Sequence, residues 1–224
     1  MKRVALVHTV KSVYDTFPGQ LREALGDSVG ELKLHNLMDD FLADDPADTG
    51  VFSTNNKARL YNDLQAAYMT GADLIVVTCS TLSPTVAEIR PFIPTRIVSI
   101  DEAMAQKAVT SGRKIGLLVT AKSTLEPSKF KLMEEAQKAG REVEIEVVHT
   151  EDAIRALKAG DKARHDQLVL EMASQLHDVD VIVLAQASMA HMEEPVAAQT
   201  GRPVFSSPKL CIQQVKTILE SSKM

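Results

Sequence analysis

One thiol in this sequence stands where residue type and spacing allow chemistry. In Thr78-Cys79-Ser80-Thr81-Leu82-Ser83-Pro84 a cysteine follows the apolar run Leu74-Ile75-Val76-Val77 and opens a stretch of hydroxyl residues. A cysteine between a strand end and a helix start can exchange a proton, because positive potential at such turns favours the reactive thiolate form of a cysteine. The backbone N–H groups there can bind a carboxylate, and the hydroxyls of Ser80 and Thr81 add donors. The same residues also fit a plainer description, a small buried cysteine followed by a capping Ser or Thr. Val119-Thr120-Ala121-Lys122-Ser123-Thr124 has the same form without the thiol, and helix capping accounts for it equally well when it is taken alone. Cys211, in Lys209-Leu210-Cys211-Ile212-Gln213-Gln214-Val215, reads as helix core.

The histidines are His8, His35, His149, His165, His177 and His191, and none has a partner at HExxH or Cys-x-x-Cys spacing, so no metal is expected. His8, beside Thr9, and His191, after Gln186, fall next to expected strand ends; each could line a site or be structural. Val7-His8-Thr9-Val10-Lys11-Ser12 lacks the glycines that let backbone approach a pyrophosphate, so a dinucleotide or nucleoside triphosphate site is not expected.

The composition narrows the classes further. The chain has 224 residues, 45% hydrophobic and 25% charged, enough for one large domain or two small ones. Its net charge is -5, with no basic run and only 4% aromatic residues, which argues against nucleic-acid binding. The apolar stretch after Met1-Lys2-Arg3 is too short for a signal peptide, and no stretch reaches the roughly 18 residues a membrane helix needs. A soluble, cytoplasmic protein with two free cysteines is the expectation.

These residues need elements to position them. Buried strands are expected at Val4–Val7, Asp73–Val77, Ile115–Val119 and Asp180–Leu184, with further strands near 31–37, 96–100, 143–148 and 203–205. Helices are expected near 17–26, 55–71, 84–90, 127–139, 151–159, 162–177 and 208–221. Asp39–Gly50, acidic and broken by Pro and Gly, reads as a long irregular loop. Alternating strands and helices imply an α/β fold with parallel, doubly wound sheets.

The order repeats. Val4-Ala5-Leu6-Val7-His8-Thr9 lies over Ile115-Gly116-Leu117-Leu118-Val119-Thr120, and Ala72–Cys79 over Val179–Gln186. Pro94–Ser99 lies over Gly201–Ser206. Two pseudo-symmetric halves follow, residues 1–100 with 207–224 and residues 101–206, although any two α/β units share apolar strands preceded by Asp. Ligands of parallel sheets sit at the carboxyl ends of strands. The expected site is therefore a cleft between the halves, with Thr9, Cys79, Ser80 and Thr81 from one and Thr120, Gln186 and Ser188 from the other.

Those segments resemble the aspartate/glutamate/hydantoin racemase superfamily, whose halves each carry a strand-end cysteine in Cys-Asn-Thr and Gly-Cys-Thr motifs. Thr78-Cys79-Ser80-Thr81 looks like the first motif, Leu184-Ala185-Gln186-Ala187-Ser188 takes the place of the second, and Thr120 to Thr124 looks like the family's Thr-containing turn. The resemblance implies cofactor-independent proton transfer at the carbon alpha to a carboxylate, by an isomerase or lyase. Cys79 would be the catalytic acid or base. His8, Thr9, Ser80, Thr81, Thr120, Thr124, Gln186 and Ser188 would bind the substrate, and a homodimer is implied. Gln186 departs from the pattern, because an amide neither takes nor gives a proton at neutral pH. Either another group such as His8 or His191 is the partner, or the reaction needs one acid/base group as decarboxylation does, or the protein only binds a small carboxylate. Arylmalonate decarboxylases of this superfamily keep one cysteine, but in the second half.

Overall fold

The computed structural model describes residues 1–26 and 28–221. The chain divides into two compact units, Met1–Ile100 joined by the chain from Pro208 on, and Asp101–Ser207. The first unit runs β1 (Lys2–His8), α1 (Lys11–Leu25), β2 (Leu32–Met38), α2 (Phe41–Thr49), α3 (Thr54–Met69), β3 (Leu74–Val77), α4 (Ser83–Ile89) and β4 (Ile97–Ser99). The second runs α5 (Glu102–Ser111), β5 (Lys114–Val119), α6 (Lys122–Lys138), β6 (Glu144–His149), α7 (Asp152–Lys158), α8 (Lys162–Ala173), β7 (Val181–Leu184), α9 (Glu193–Thr200) and β8 (Val204–Ser206). Helix α10 (Ser207–Ser221) packs Cys211, Ile212, Val215 and Leu219 into the core of the first unit.

Each unit holds a four-stranded parallel sheet, ordered β2-β1-β3-β4 in the first and β6-β5-β7-β8 in the second. The continuous apolar runs have a direct cause. Val4 and Leu6 of β1, with Leu74 and Val76 of β3, face one core with Phe17 and Leu21 of α1 and residues of α10. Ala5, Val7, Ile75 and Val77 face the opposite core with Leu60 and Leu64 of α3 and Val86 of α4. A strand covered on both faces has no polar side to alternate with. In the second unit Leu118, Ile182 and Leu184 pack on Val169 and Met172 of α8 and Val196 of α9.

The aspartates that lead β3 and β7 brace the amino edge of each sheet. Asp73 Oδ2 accepts the Arg3 N–H at 2.8 Å, and Asp180 Oδ2 accepts the N–H groups of Arg113 and Lys114, both at 2.8 Å. Those two bonds hold the Asp180 carboxyl below its ordinary value. The repeated Asp is thus a tie between neighbouring strands.

Two expectations are corrected. Residues 39–50 are not an irregular loop: Phe41–Thr49 is helix α2, with Leu42 fully buried in the second core of the first unit and Pro46 buried beside it. Burial of Leu42 outweighs the breaker composition, and Gly50 ends the helix at a φ of 75°, its N–H on Pro46 O. Helix α1 begins at Lys11 rather than near residue 17, running through Pro18 with Phe17, Leu21 and Leu25 buried. Among the described residues, no helix is long and apolar enough to cross a membrane.

Candidate functional site

Parallel pairing sets the site residues at matching heights. In the first unit Val7 pairs with Val77, and the Thr78 N–H reaches Val7 O at 2.9 Å, so His8 and Thr9 leave β1 beside Thr78 and Cys79 leaving β3. In the second unit Leu118 pairs with Leu184, and the Ala185 N–H reaches Leu118 O at 3.0 Å, which sets Thr120 beside Gln186. The positions paired by the sequence repeat are therefore structurally equivalent within their units.

At the first edge Cys79 is half-buried and has extended backbone, and it opens the 3-10 turn Ser80–Leu82, whose Ser80 and Thr81 are buried. The Leu82 N–H closes the turn on Cys79 O at 3.2 Å. Helix α4 follows directly, with Pro84 in its first turn, where a missing N–H costs nothing. His8 is fully buried. Its Nε2 lies 3.2 Å from Asn36 Oδ1, which can only accept, so Nε2 carries the proton and Nδ1 accepts from the Thr78 hydroxyl at 2.8 Å. Burial lowers the His8 pKa, against the pull of the Asn36 hydrogen bond, and keeps the ring neutral. The ring is thereby fixed by Asn36 through Nε2 and holds Thr78, the residue before Cys79, through Nδ1. Thr9 and Ser99 are buried at the ends of β1 and β4, and their hydroxyls have no hydrogen-bond partner.

The second edge is arranged differently. Gln186 Oε1 accepts from the Thr120 N–H at 3.0 Å and from the Thr120 hydroxyl at 3.1 Å. Gln186 Nε2 donates to Thr124 Oγ1, whose own proton goes to Ala121 O at 2.7 Å. Thr120, Thr124 and Gln186 thus form one closed cluster, while Ser188 is half-buried in the following turn, Ala187–Met192. An N–H and an O–H converging on one oxygen is the pattern a carboxylate oxygen would meet, and here the side-chain amide meets it.

Sequence reasoning missed three groups at these edges. Ser99 was legible only as the partner of Ser206 in the repeat. Asp39, one residue past β2, is 7% exposed and pairs with Arg59 of α3, which stacks over Phe41. Asp63 lies one helical turn from Arg59 and is pushed up to about 6, chiefly by burial and then by the Asp39 carboxylate. A groove of about 830 Å³, lined by Phe130, Met133, Arg141 and Glu144, lies at the amino edge of the second sheet, opposite Thr120 and Gln186, and has none of the expected site residues.

Two like α/β units with small hydroxyl residues at the carboxyl ends of their strands, and a thiol at one of them, define a racemase-type scaffold. The Asp/Glu/hydantoin racemase family model matches residues 20–215, and the chain belongs to that family. No curated protein matches. A glutamate racemase isoform from Bacillus anthracis superposes with a TM-score of 0.71 at 16% identity, covering 99% of this chain and 82% of that one. A putative Asp/Glu racemase from Yersinia pestis gives a TM-score of 0.71 at 17% identity over 98% of this chain and 99% of that one. An allantoin racemase from Klebsiella pneumoniae gives 0.67 at 14% identity over 99% and 89%. Family membership places the chain among isomerase-type enzymes.

Proposed function

We propose that this protein moves a proton at the carbon alpha to the carboxylate of a small substrate, as an isomerase or lyase, with Cys79 as its single thiol acid/base and no cofactor. The observation that carries this reading is the asymmetry between equivalent positions. Beside Cys79 the Thr9 hydroxyl is buried and unpartnered, whereas beside Gln186 the equivalent Thr120 is saturated by the amide. A buried donor without a partner costs about 1–3 kcal/mol, and such costs concentrate where a ligand completes the bonding. Thr9, Ser99, Ser80, Thr81 and the N–H groups of the turn after Cys79 are the proposed carboxylate donors.

The Cys79 thiolate takes the alpha proton, and the electron pair of the broken C–H bond moves onto the carboxylate as an enediolate held by those donors. Return of the proton from the thiol to the same face completes exchange; in the isomerase form water protonates the opposite face and the thiol gives its proton to solvent. In the lyase form CO2 leaves with its bond broken towards carbon, and the thiol protonates the resulting carbanion. His8 acts by holding Thr78, and so the strand end, rather than by touching substrate. Gln186, Thr120 and Thr124, closed on one another, do no acid/base work. The reading takes the protein as a cytoplasmic homodimer, which light scattering in solution tests as to assembly.

The experiment is proton NMR in D2O with amino acids, hydantoins, hydroxy acids and substituted malonates, wild type beside Cys79→Ala. Loss of an alpha-proton signal, or of CO2, that the variant slows by roughly 10²–10⁴-fold supports the reading. Turnover undiminished in Cys79→Ala would sink it. The closed Gln186 cluster favours a second reading, a carboxylate-binding protein without turnover, which is supported if substrates raise the melting temperature and remain chemically unchanged.

A further inference from the structure

The second unit also brings together three side chains that the sequence keeps apart. His165 and Asp166 stand near the start of α8, and His191 lies in the turn Ala187–Met192 that follows Gln186. Asp166 Oδ1 accepts from His165 Nδ1 at 2.7 Å and from His191 Nε2 at 2.7 Å. The two rings are stacked with centroids 5.8 Å apart. One donor atom from each of the three residues lies within 4.8 Å of the others. His165 is fully buried, whereas the side chains of Asp166 and His191 are 29% and 35% exposed, so the cluster is open to solvent on one side. His165 Nε2 is buried with no hydrogen-bond partner.

We propose that His165, Asp166 and His191 bind a divalent transition-metal ion of the zinc type. Two imidazoles and one carboxylate form a donor set suited to Zn2+ and its first-row neighbours, and too nitrogen-rich for Mg2+ or Ca2+. The geometry is close to what an ion needs. Ligand atoms about 2.0–2.2 Å from zinc in a tetrahedral site stand roughly 3.3 Å from one another. Each nitrogen–oxygen distance must therefore open by about 0.6 Å from its hydrogen-bonded value. Asp166 and His191 are the partly exposed members and can make that adjustment. Each ring coordinates through the nitrogen that now faces Asp166, which gives up its proton as the ion binds. Asp166 supplies the negative charge. Three protein ligands leave a fourth position for water. The bound ion adds a tie between α8 and the turn that follows the Gln186 strand end, which already share the His191–Asp166 hydrogen bond and a common apolar core of Val169, Met172, Met189 and Met192.

The test is titration of the metal-free full chain with Zn2+ by calorimetry and with Co2+ by visible absorption, beside His191→Gln, Asp166→Asn and, as a control outside the cluster, His177→Ala. The expected result is about one ion per chain, cobalt bands of a nitrogen-ligated site and a raised melting temperature in wild type and His177→Ala. Because loss of an outer-shell partner alone costs roughly 10–100-fold in affinity, each cluster variant should bind about 100-fold more weakly or worse. Glutamine at 191 keeps a donor for Asp166, and the melting temperature without metal reports whether each variant is folded. Absence of binding to wild type, or binding retained in both cluster variants, overturns the proposal. Neither result bears on Cys79.

Discussion

At the residue scale, the contrast between Cys79 and Gln186 decides what each strand end can do. Cysteine is too short to span to the neighbouring strand end, and the Thr9 hydroxyl beside it is left without a partner. Glutamine is long enough to reach both Thr120 and Thr124 and closes its own cluster. Gln186→Ala removes the acceptor for the Thr120 N–H and hydroxyl and leaves both without their partner. It should lower the unfolding free energy by about 1–3 kcal/mol, read by urea denaturation. A loss well under 1 kcal/mol would mean that water replaces the amide at no cost. The buried Thr9 hydroxyl has no protein partner to lose, so Thr9→Val should be neutral or stabilising by the same measurement. It should weaken binding of a carboxylate substrate about 10-fold, the equivalent of one hydrogen bond to a charged group.

At the element scale, the first turns of the helices and the ends of the strands carry the polar residues, while the strands themselves carry packing. Gly116 in β5 shows how little room that packing leaves. A Cβ built there would lie 2.6 Å from Leu176 Cδ1, a residue 6% exposed against the core of the second unit. Gly116→Ala should therefore cost about 1–3 kcal/mol through overpacking, measured by thermal or urea unfolding. Leu176→Ala in the same background should recover part of it. An unchanged stability in the single variant would show that Leu176 repacks freely. Helix α2 carries the same lesson from the other side: composition reads as loop from Asp39 to Gly50, yet a single fully buried leucine, Leu42, anchors a helix across Pro46.

At the scale of the whole molecule, buried titratable groups set how stability varies with pH. Asp63 is pushed up to about 6, first by burial and then by Asp39, with Arg59 pulling the other way. Asp39 Oδ1 and Asp63 Oδ2 are both buried without a donor, so a proton on Asp63 gives the pair one. A carboxyl whose folded pKa lies above its ordinary 3.8 favours the folded state while protonated. Its contribution is complete below pH 3.8 and is lost as the pH rises through about 6. The urea midpoint of wild type should therefore fall between pH 5 and pH 7 (about one unit either side of that titration), and Asp63→Asn should flatten the fall. An equal decline in the variant would assign it to other groups. His8 works in the opposite sense. Its lowered pKa contributes stability that is present above 6.5 and lost as the pH falls below it.

The sequence by itself determined the α/β class, the buried strands and the thiol at a strand end followed by hydroxyls. It also determined the repeat that makes Thr9 equivalent to Thr120 and Cys79 to Gln186. All of these rest on local order: apolar runs of strand length, Asp before them, small polar residues after them. Tertiary structure alone decided which hydroxyls are satisfied. Whether Thr9 or Thr120 has a partner depends on the reach of a side chain from a neighbouring strand about 70 residues away in the sequence. It also decided that His8 faces Asn36 and Thr78, that Asp39 and Asp63 share a buried corner, and that His191 meets His165 and Asp166. Parallel strands joined by crossovers bring distant residues to one edge, and spacing along the chain carries no record of that.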